Sequence, residues 1–247
     1  IKFRAFRDHA LGLGAECIAT GHYARIHRQN ETWQLLKGVD ANKDQSYFLC
    51  RFDQSQLARA LFPVGGLQKP EVRALARKSG LGTHDKKDST GICFVGERPF
   101  RDFLRRYIPE QAGEIRTPAG KTVGTREGVF YYTLGQRQGL GIGGIQGAAE
   151  EPWYVIGKDL EQNILYVTQG HDHPLLYSVT LTAVDVHWIA GSPPSLPLAC
   201  TAKTRYRQPD QSCVVVTSVG GEYTVRFAEK QRAVTPGQYV VFYDGNI

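Results

Sequence analysis

The segment Leu11–His22 reads Leu-Gly-Leu-Gly-Ala-Glu-Cys-Ile-Ala-Thr-Gly-His, and it decides the fold class of the N-terminal part of the chain. Apolar side chains at helical spacing before it predict a helix over residues 2–11, which ends at the two glycines. The short run Glu16–Ala19 predicts a strand. A helix followed by a strand is typical of a doubly wound α/β sheet, in which ligands bind beyond the carboxyl ends of the strands. Gly21 and His22 lie at such an end.

Downstream of this segment the sequence predicts short strands and then helices. The strands are expected at Tyr23–Ile26 and Gln34–Gly38, and residues 53–108 have a mostly helical pattern. One of these helices is predicted to begin at Pro70, because proline suits the first turn, and to end at Gly80.

After about residue 112 the pattern changes to short alternating apolar runs separated by glycine and proline. The runs predict strands at Val129–Thr133, Trp153–Ile156, Ile164–Thr168, Val179–Val186, Ala199–Tyr206, Cys213–Val219, Tyr223–Phe227 and Tyr239–Tyr243. Regular short strands of this kind predict an antiparallel β-barrel. We therefore expect an α/β plus β chain with domains at residues 1–50, 51–148 and 149–247.

The composition excludes several classes of protein. No apolar run among the 247 residues approaches the roughly 18 that are needed to span a bilayer. The five cysteines, at positions 17, 50, 93, 200 and 213, have no short C-x-x-C spacing, which argues against a disulfide framework and a zinc finger. The net charge of +6 favours a polyanionic partner. We expect a cytoplasmic protein, monomeric by default, without a membrane segment.

Residues 86–98, Lys-Lys-Asp-Ser-Thr-Gly-Ile-Cys-Phe-Val-Gly-Glu-Arg, are the most informative for chemistry. The thiolate is the reactive form of cysteine, and the neighbouring cations Lys86, Lys87 and Arg98 would stabilise the thiolate of Cys93. The alternative is that this cysteine is buried between its two apolar neighbours, and composition alone favours that alternative. The other four cysteines lie in apolar or strand-like runs and are interpreted as core residues.

Two segments carry polar groups that suit RNA. Lys43-Asp44-Gln45 offers a cation, an acceptor and an amide, although a helix N-terminus capped by Asp44 would also explain it. Residues 203–208 interleave three cations with Tyr206 on a predicted strand, which suits phosphates and base stacking. An exposed strand face with alternating charges is the equal alternative.

The strand end at residues 21–22 and one histidine pair leave further alternatives. His22 could contact a phosphate or transfer a proton, or it could cap the strand end through a hydrogen bond. Gly21 would let a flat ligand such as adenine approach the backbone, or it is an ordinary turn residue. The segment His171-Asp172-His173 lacks further ligands at suitable spacing, so no metal site is predicted.

Six ordered blocks of the chain resemble one family when they are taken together. They are Ala19–Tyr23, Asn42–Leu49, Asp88–Phe94, Tyr132–Arg137, Glu151–Val155 and Thr204–Arg207. The blocks closely resemble the tRNA-specific 2-thiouridylases of the MnmA/TrmU family. The resemblance covers essentially the whole chain, and six ordered blocks are far more specific than any single motif.

The resemblance implies a fold and an activity. The fold would be an ATP-pyrophosphatase α/β domain of the adenine-nucleotide-hydrolase type, a small central helical domain and a C-terminal antiparallel β-barrel. The activity would be adenylation of a tRNA wobble uridine with ATP and Mg²⁺, followed by sulfur delivery from a cysteine persulfide. The sulfur would come from a persulfide-donating relay protein or a cysteine desulfurase. By the same resemblance, Cys93 carries the persulfide and Gly21 contacts ATP, and the tRNA contacts are His22, Lys43, Asp44, Gln45, Arg205, Tyr206 and Gln238.

The sequence departs from the family pattern in one serious respect. The S-G-G-x-D-S pyrophosphate loop does not occur in it, and neither does the second catalytic cysteine expected just before Ile1. A short strand after Ile247 is also expected. We therefore interpret the chain as about two thirds of the enzyme, inactive alone. A non-catalytic tRNA-binding fragment is the alternative, and an unrelated hydrolase that uses Cys93 and His22 is disfavoured because no orienting motif accompanies them.

Overall fold

The computed structural model describes residues 2–86, 103–108, 111–145, 147 and 149–247. Cys93, the predicted sulfur carrier, lies outside these residues. The chain divides into two compact units. The first contains Ile1–Lys87, Thr180–Glu229 and Gln238–Ile247, and the second contains Asp88–Val179 and Lys230–Gly237. None of the helices in the described part of the chain has both the length and the apolar character to cross a membrane.

The N-terminal part of the first unit mixes helices and strands, as predicted. An irregular helix over Lys2–Phe6 leads into α1 (Arg7–Gly12), with non-helical dihedrals at Phe3. Strand β1 (Ile18–Ala19) pairs in parallel with β4 (Ala60–Leu61). The core of this N-terminal part contains Ala24, Leu35, Leu49, Phe52, Leu57 and Ala60. A strand does follow a helix here, so the α/β interpretation of this part is confirmed.

A β-hairpin lies between β1 and the later helices. Strand β2 (Ala24–Gln29) pairs antiparallel with β3 (Thr32–Lys37). The two turn residues, Asn30 and Glu31, have φ of 46° and 66°. Two successive residues in the left-handed region form the turn whose twist matches that of the flanking strands, so the hairpin is closed locally.

Two helices follow, and the longer one matches the prediction from its punctuation. Helix α2 is Gln54–Leu57, and α3 is Lys69–Lys78. At the start of α3, Glu71 completes a capping box with Gln68, and the helix is followed by Gly80 at a φ of +70°. Both ends are therefore fixed by local residues.

The C-terminal part of the first unit is a sheet with the strand order β13-β10-β11-β12-β9. Its strands are β9 (Tyr177–Ala183), β10 (Leu198–Lys203), β11 (Gln211–Val219), β12 (Glu222–Arg232) and β13 (Val241–Tyr243). Alternate residues of β11 and β12 point into the core, among them Val215 and Val225, and this is the alternation that predicted the strands.

The second unit is built on a four-stranded sheet. Its order is β6-β5-β8-β7, with β5 (Gly113–Arg116), β6 (Thr122–Arg126), β7 (Trp153–Asp159) and β8 (Ile164–Gln169). Strands β5 and β8 run parallel, and the other pairs are antiparallel. The central domain predicted at residues 51–148, which the resemblance implied to be helical, carries the strands β4, β5 and β6 as well as α2 and α3.

One strand prediction is wrong. Residues Val129–Tyr131 form a 3-10 helix instead of the start of a strand. Val129 and Tyr132 are both buried, with 1% and 4% exposure, and a spacing of three residues suits one helical turn. The apolar run 129–133 was therefore ambiguous between the two structures.

Candidate nucleic-acid interface

The predicted RNA-contact residues that follow residue 42 lie on three segments of the first unit. The segments are residues 43–48, residues 203–208 after β10, and residues 238–243, which end in β13. Tyr47 joins them: its hydroxyl donates a hydrogen bond to the carbonyl of Tyr239 at 2.9 Å and lies 3.5 Å from the carbonyl of Thr204. Burial raises the pKa of Tyr47, which keeps its hydroxyl protonated as a donor.

Asp44 has a buried carboxylate that faces four polar groups from three residues of the protein. Its Oδ1 accepts the backbone N–H groups of Gly38 and Ser46 at 3.0 and 3.1 Å. Its Oδ2 accepts the Ser46 hydroxyl at 2.9 Å and lies 3.6 Å from Lys203 Nζ. With 7% of the residue exposed, this side chain orders the segment and is poorly placed to touch RNA directly.

Two lysines complete this buried network. Lys37 forms an ion pair with Asp210, and Lys203 Nζ lies 3.6 Å from the other oxygen of the same carboxylate. Both ammonium groups also face the ring of Tyr243, at 4.2 and 5.3 Å from its centroid. Lys203, one of the three cations predicted to face RNA, is therefore held by protein groups.

Arg205, Tyr206 and Arg207 lie on a turn and not on a strand. Strand β10 ends at Lys203, three residues before the predicted end. The side chain of Gln208 accepts hydrogen bonds from the backbone N–H and the hydroxyl of Thr204, at 2.8 and 3.0 Å. The backbone N–H of Thr204 thus bonds to a side chain instead of to a neighbouring strand, and the chain leaves the sheet as a turn.

Gln45 ties this region to the strand end at Gly21. Its backbone N–H donates to the carbonyl of Tyr23 at 2.8 Å, and its side-chain oxygen accepts the N–H of Tyr23 at 3.0 Å. Lys43 is half-buried beside it, with its N–H bonded to the carbonyl of Asp40 at 2.9 Å. The prediction that both contact tRNA stays a prediction, and for Gln45 the geometry favours a role in positioning.

Gly21 and Gln238 are both exposed. A Cβ built on Gly21 would meet no atom within 4 Å, so the space in front of it is open. Packing therefore does not require glycine at this position. The open backbone beyond β1 fits the predicted approach of a flat ligand such as adenine.

His22 lies against aromatic rings. Its ring centroid is 5.5 Å from that of Phe3 and 5.8 Å from that of Phe62, and its Nδ1 is 2.7 Å from the hydroxyl oxygen of Thr20. Burial, and secondly the charge of Lys2, lower the pKa of His22 below 6.5. The folded protein therefore holds this imidazole neutral near pH 7.

This lowered pKa predicts a loss of stability in acid. The unfolded chain binds a proton at His22 below a pH of about 6.5, whereas the folded chain resists it, so the free energy of unfolding falls as the pH drops below that value. Urea unfolding at about pH 7.5 and about pH 5.5 measures the fall, which should be smaller in His22→Gln. Equal falls in the two proteins would contradict the prediction.

Phe48 is a surface residue that the sequence analysis missed. It belongs to the short helix Ser46–Leu49, in which the other three residues are buried. Its ring is 58% exposed, with its centroid 4.4 Å from that of Tyr206. The apolar residues on either side of Phe48 indicated a continuous buried run. Nothing in the neighbouring sequence indicates that the side chain of Phe48 points outward.

Among the described cysteines, the thiol of Cys213 lies 3.6 Å from that of Cys200, and this hydrogen bond lowers the pKa of Cys200. Cys17, Cys50, Cys200 and Cys213 are free, and only Cys213 is buried, so the core interpretation holds fully for that residue alone. Burial raises the pKa of Cys50. Within the part of the chain that the structure describes, no group of three or more His, Cys, Asp and Glu side chains could hold a metal ion.

Three family descriptions match this chain in order. Residues 1–97 match the tRNA methyl transferase HUP domain, residues 101–169 the tRNA methyl transferase PRC-barrel domain, and residues 178–247 the aminomethyltransferase beta-barrel domain. An α/β part followed by two β-rich parts agrees with the fold class predicted from the sequence.

Curated relatives match along the whole chain. The protein named tRNA-specific 2-thiouridylase MnmA from Nitrosomonas eutropha is 57% identical over 247 residues, which are 100% of this chain and 68% of the relative. The protein of the same name from Methylobacillus flagellatus is 56% identical over 247 residues, 100% of this chain and 69% of the relative. The one from Alcanivorax borkumensis is 57% identical over 247 residues, with 100% and 68% covered. This chain thus spans about two thirds of their length.

Proposed function

This chain belongs to the tRNA-specific 2-thiouridylase family, and from that premise we propose that it takes part in the transfer of sulfur to C2 of a tRNA uridine. The observation that carries the proposal is the 57% identity to a relative of that name across all 247 residues. The wobble uridine is the proposed target within the tRNA. The match extends over the whole chain and therefore spans all six sequence blocks, so it does not depend on a single motif.

The described surface supports an RNA substrate. Arg205 and Arg207 are exposed beside Tyr206, and the chain carries a net charge of +6. Cations contact phosphates and aromatic rings stack on bases, so this combination suits RNA without specifying its sequence. Asp44 and Gln45 would act by holding the segment that carries Lys43 in place.

ATP is the proposed co-substrate, with Mg²⁺ bound to its phosphates. ATP would supply AMP as the leaving group that makes the uridine oxygen replaceable. The open backbone at Gly21, in front of which an added Cβ meets nothing within 4 Å, would take the adenine. His22, kept neutral by burial, would accept or donate a hydrogen bond beside it without adding charge.

Cys93 is the proposed sulfur carrier. The terminal sulfur of its persulfide would attack C2 of the uridine, and the C2–O bond would break as AMP leaves. A second thiol would then cleave the S–S bond, which forms a disulfide with Cys93 Sγ and releases the 2-thiouridine. Lys86, at the edge of the described residues, and Lys87 and Arg98 beyond it would favour the anionic sulfur. The sulfur would reach Cys93 from a relay protein or a cysteine desulfurase. Monomeric state and cytoplasmic location stay predictions.

Single-turnover transfer of labelled sulfur to a tRNA transcript tests the proposal. The assay compares this chain, a protein extended to the length of the relatives, and the extended protein with Cys93→Ser. We expect ATP-dependent incorporation by the extended protein and a loss of at least about a hundredfold in Cys93→Ser, since no other group replaces the nucleophile. Cys17→Ser is the matched control and should retain activity.

Two results would count against the proposal in different ways. Undiminished incorporation by Cys93→Ser would reject the assignment of that residue as the carrier. No incorporation by the extended protein, with tRNA binding intact, would reject the enzyme and leave the tRNA-binding fragment.

A further inference from the structure

We propose that Phe48 and Tyr206 form a stacking platform for an unpaired nucleotide of the tRNA, with Phe48 as a positioning residue for the substrate. The inference rests on the proposed function and extends it to a residue outside the predicted contacts. The platform is defined as the two rings of Phe48 and Tyr206 together with the guanidinium of Arg207.

The exposure of Phe48 is the first observation. Its ring is 58% exposed, whereas its neighbours Tyr47 and Leu49 are 8% and 3% exposed. The buried neighbours fix the backbone, so the outward direction of the ring is set by the fold and does not follow from a loose loop. An exposed ring that has a second ring and cations beside it offers a face on which a base can stack.

The second observation is that the platform is preassembled. The Phe48 and Tyr206 ring centroids lie 4.4 Å apart at an interplanar angle of 43°. The guanidinium carbon of Arg207 lies 5.5 Å from the centroid of the Tyr206 ring. The ring of Tyr47 lies 5.7 Å from that of Phe48 and 6.4 Å from that of Tyr206, and Tyr47 is itself held by its hydrogen bond to the carbonyl of Tyr239. Rings that are already fixed lose little freedom when a base stacks on them.

The third observation is strain in the backbone beside the rings. Arg207 has a φ of 68°, in the left-handed region that a residue with a Cβ seldom adopts. Such strain persists only where the surroundings hold it, and it is concentrated at functional sites. At this turn the guanidinium of Arg207 lies over the half-buried ring of Tyr206, next to the exposed ring of Phe48.

These features together fit a nucleotide better than a protein partner. Every base presents a flat face to an aromatic ring, and the phosphates on either side of it would meet Arg205 and Arg207. A base within a duplex has both faces covered, so the platform selects a nucleotide that is unpaired or can be unstacked. The platform would thereby hold the tRNA backbone in register for the reaction.

Labelled tRNA binding, followed by fluorescence anisotropy, tests the platform with variants of Phe48. Loss of one stacking ring typically costs binding about tenfold, so Phe48→Leu should raise the Kd by about that factor, whereas Phe48→Trp should stay within about twofold of the wild type. The matched control is Phe130→Leu, because Phe130 is 53% exposed and lies in the other unit. Phe130→Leu should leave the Kd unchanged.

A salt series separates stacking from charge. Phe48→Leu should keep the dependence of Kd on salt concentration, and Arg207→Ala should reduce that dependence by about one counterion. A tRNA with 2-aminopurine at unpaired positions provides a second readout, since its fluorescence is quenched when the base stacks on a ring. At one unpaired position we expect the wild type to quench the fluorescence and Phe48→Leu to restore it. If Phe48→Leu does not fold, the quenching by the wild type is the remaining test of the platform.

Three outcomes would overturn the platform. Equal Kd values for the wild type and Phe48→Leu, with no quenching at any position, would reject it while tRNA binding and the proposed function survive. Unchanged tRNA binding with slower sulfur uptake from the donor protein would assign Phe48 to a protein interface instead. Failure of the wild type to bind tRNA at all would reject the proposed function together with the platform.

Discussion

Gly65→Ala is expected to lower the free energy of unfolding by about 3 kcal/mol, at the upper end of what overpacking a core costs. A Cβ built on Gly65 would lie 1.6 Å from the carbonyl oxygen of Ala24 and 2.6 Å from its carbonyl carbon. Both atoms belong to the backbone, so no side-chain rotation can relieve the contact. The start of β2 would have to move away from Gly65, and it carries Ala24, which is fully buried in the core.

Urea unfolding of the protein, followed by tryptophan fluorescence, measures this change. The adjacent Gly66→Ala is the matched control, because a Cβ on Gly66 meets nothing within 4 Å. That substitution should leave stability within about 0.5 kcal/mol, or raise it slightly by restricting the unfolded chain. A Gly65→Ala protein as stable as the Gly66→Ala protein would show that the close approach to Ala24 does not exist.

Asp44→Ala is expected to lower the free energy of unfolding by about 3 kcal/mol, because it removes one partner of a buried charged network. The N–H groups of Gly38 and Ser46 would lose their acceptor, and Lys203 would lose one of its carboxylates. Buried donors without partners account for most of the expected loss. Asp44→Asn keeps one oxygen in place and should lose about half as much.

The two roles considered for Asp44 predict different results. If Asp44 positions segment 43–48, any loss of tRNA affinity in Asp44→Ala should be accompanied by a loss of stability. In Asp44→Asn both the stability and the tRNA affinity should fall together. Asp85→Ala is the control for removing an aspartate, since the Asp85 side chain is 74% exposed and its ion pairs contribute little. A stable Asp44→Ala protein with strongly weakened tRNA binding would instead favour direct contact with RNA.

The parts of the fold that could be predicted are those with local causes. Helix α3 was identified because Pro70 and Gly80 mark its ends in the sequence itself. Strands β5 and β6 were not identified, because Ile115 is the only fully buried side chain among mostly polar neighbours. Strand β6 pairs only with β5, and the other partner of β5 is β8, about 50 residues later in the register, which lies outside any local window of sequence.

The same distinction applies to the candidate site. The cations and the aromatic ring at residues 205–207 were visible as residue types, yet their turn depends on the side chain of Gln208. The role of Asp44 could not be predicted, since one of its partners, Lys203, lies on β10. Phe48 could not be separated from its buried neighbours by composition, because its exposure depends on which face the fold covers.

The discontinuity of the first unit bears on how the protein is made. The hydroxyl of Ser46 lies 3.1 Å from that of Tyr243, a contact across 197 residues. As the chain leaves the ribosome, this buried network cannot close until β13 has been synthesised. Strands β5–β8, by contrast, pair only with one another and are complete earlier. The entropic cost of closing a loop grows only slowly with its length. The long separation between these residues therefore slows folding more than it lowers stability. The nascent protein would hold segment 43–48 without these contacts until Tyr243 has been synthesised, and a chaperone that shields exposed strands would act during that interval.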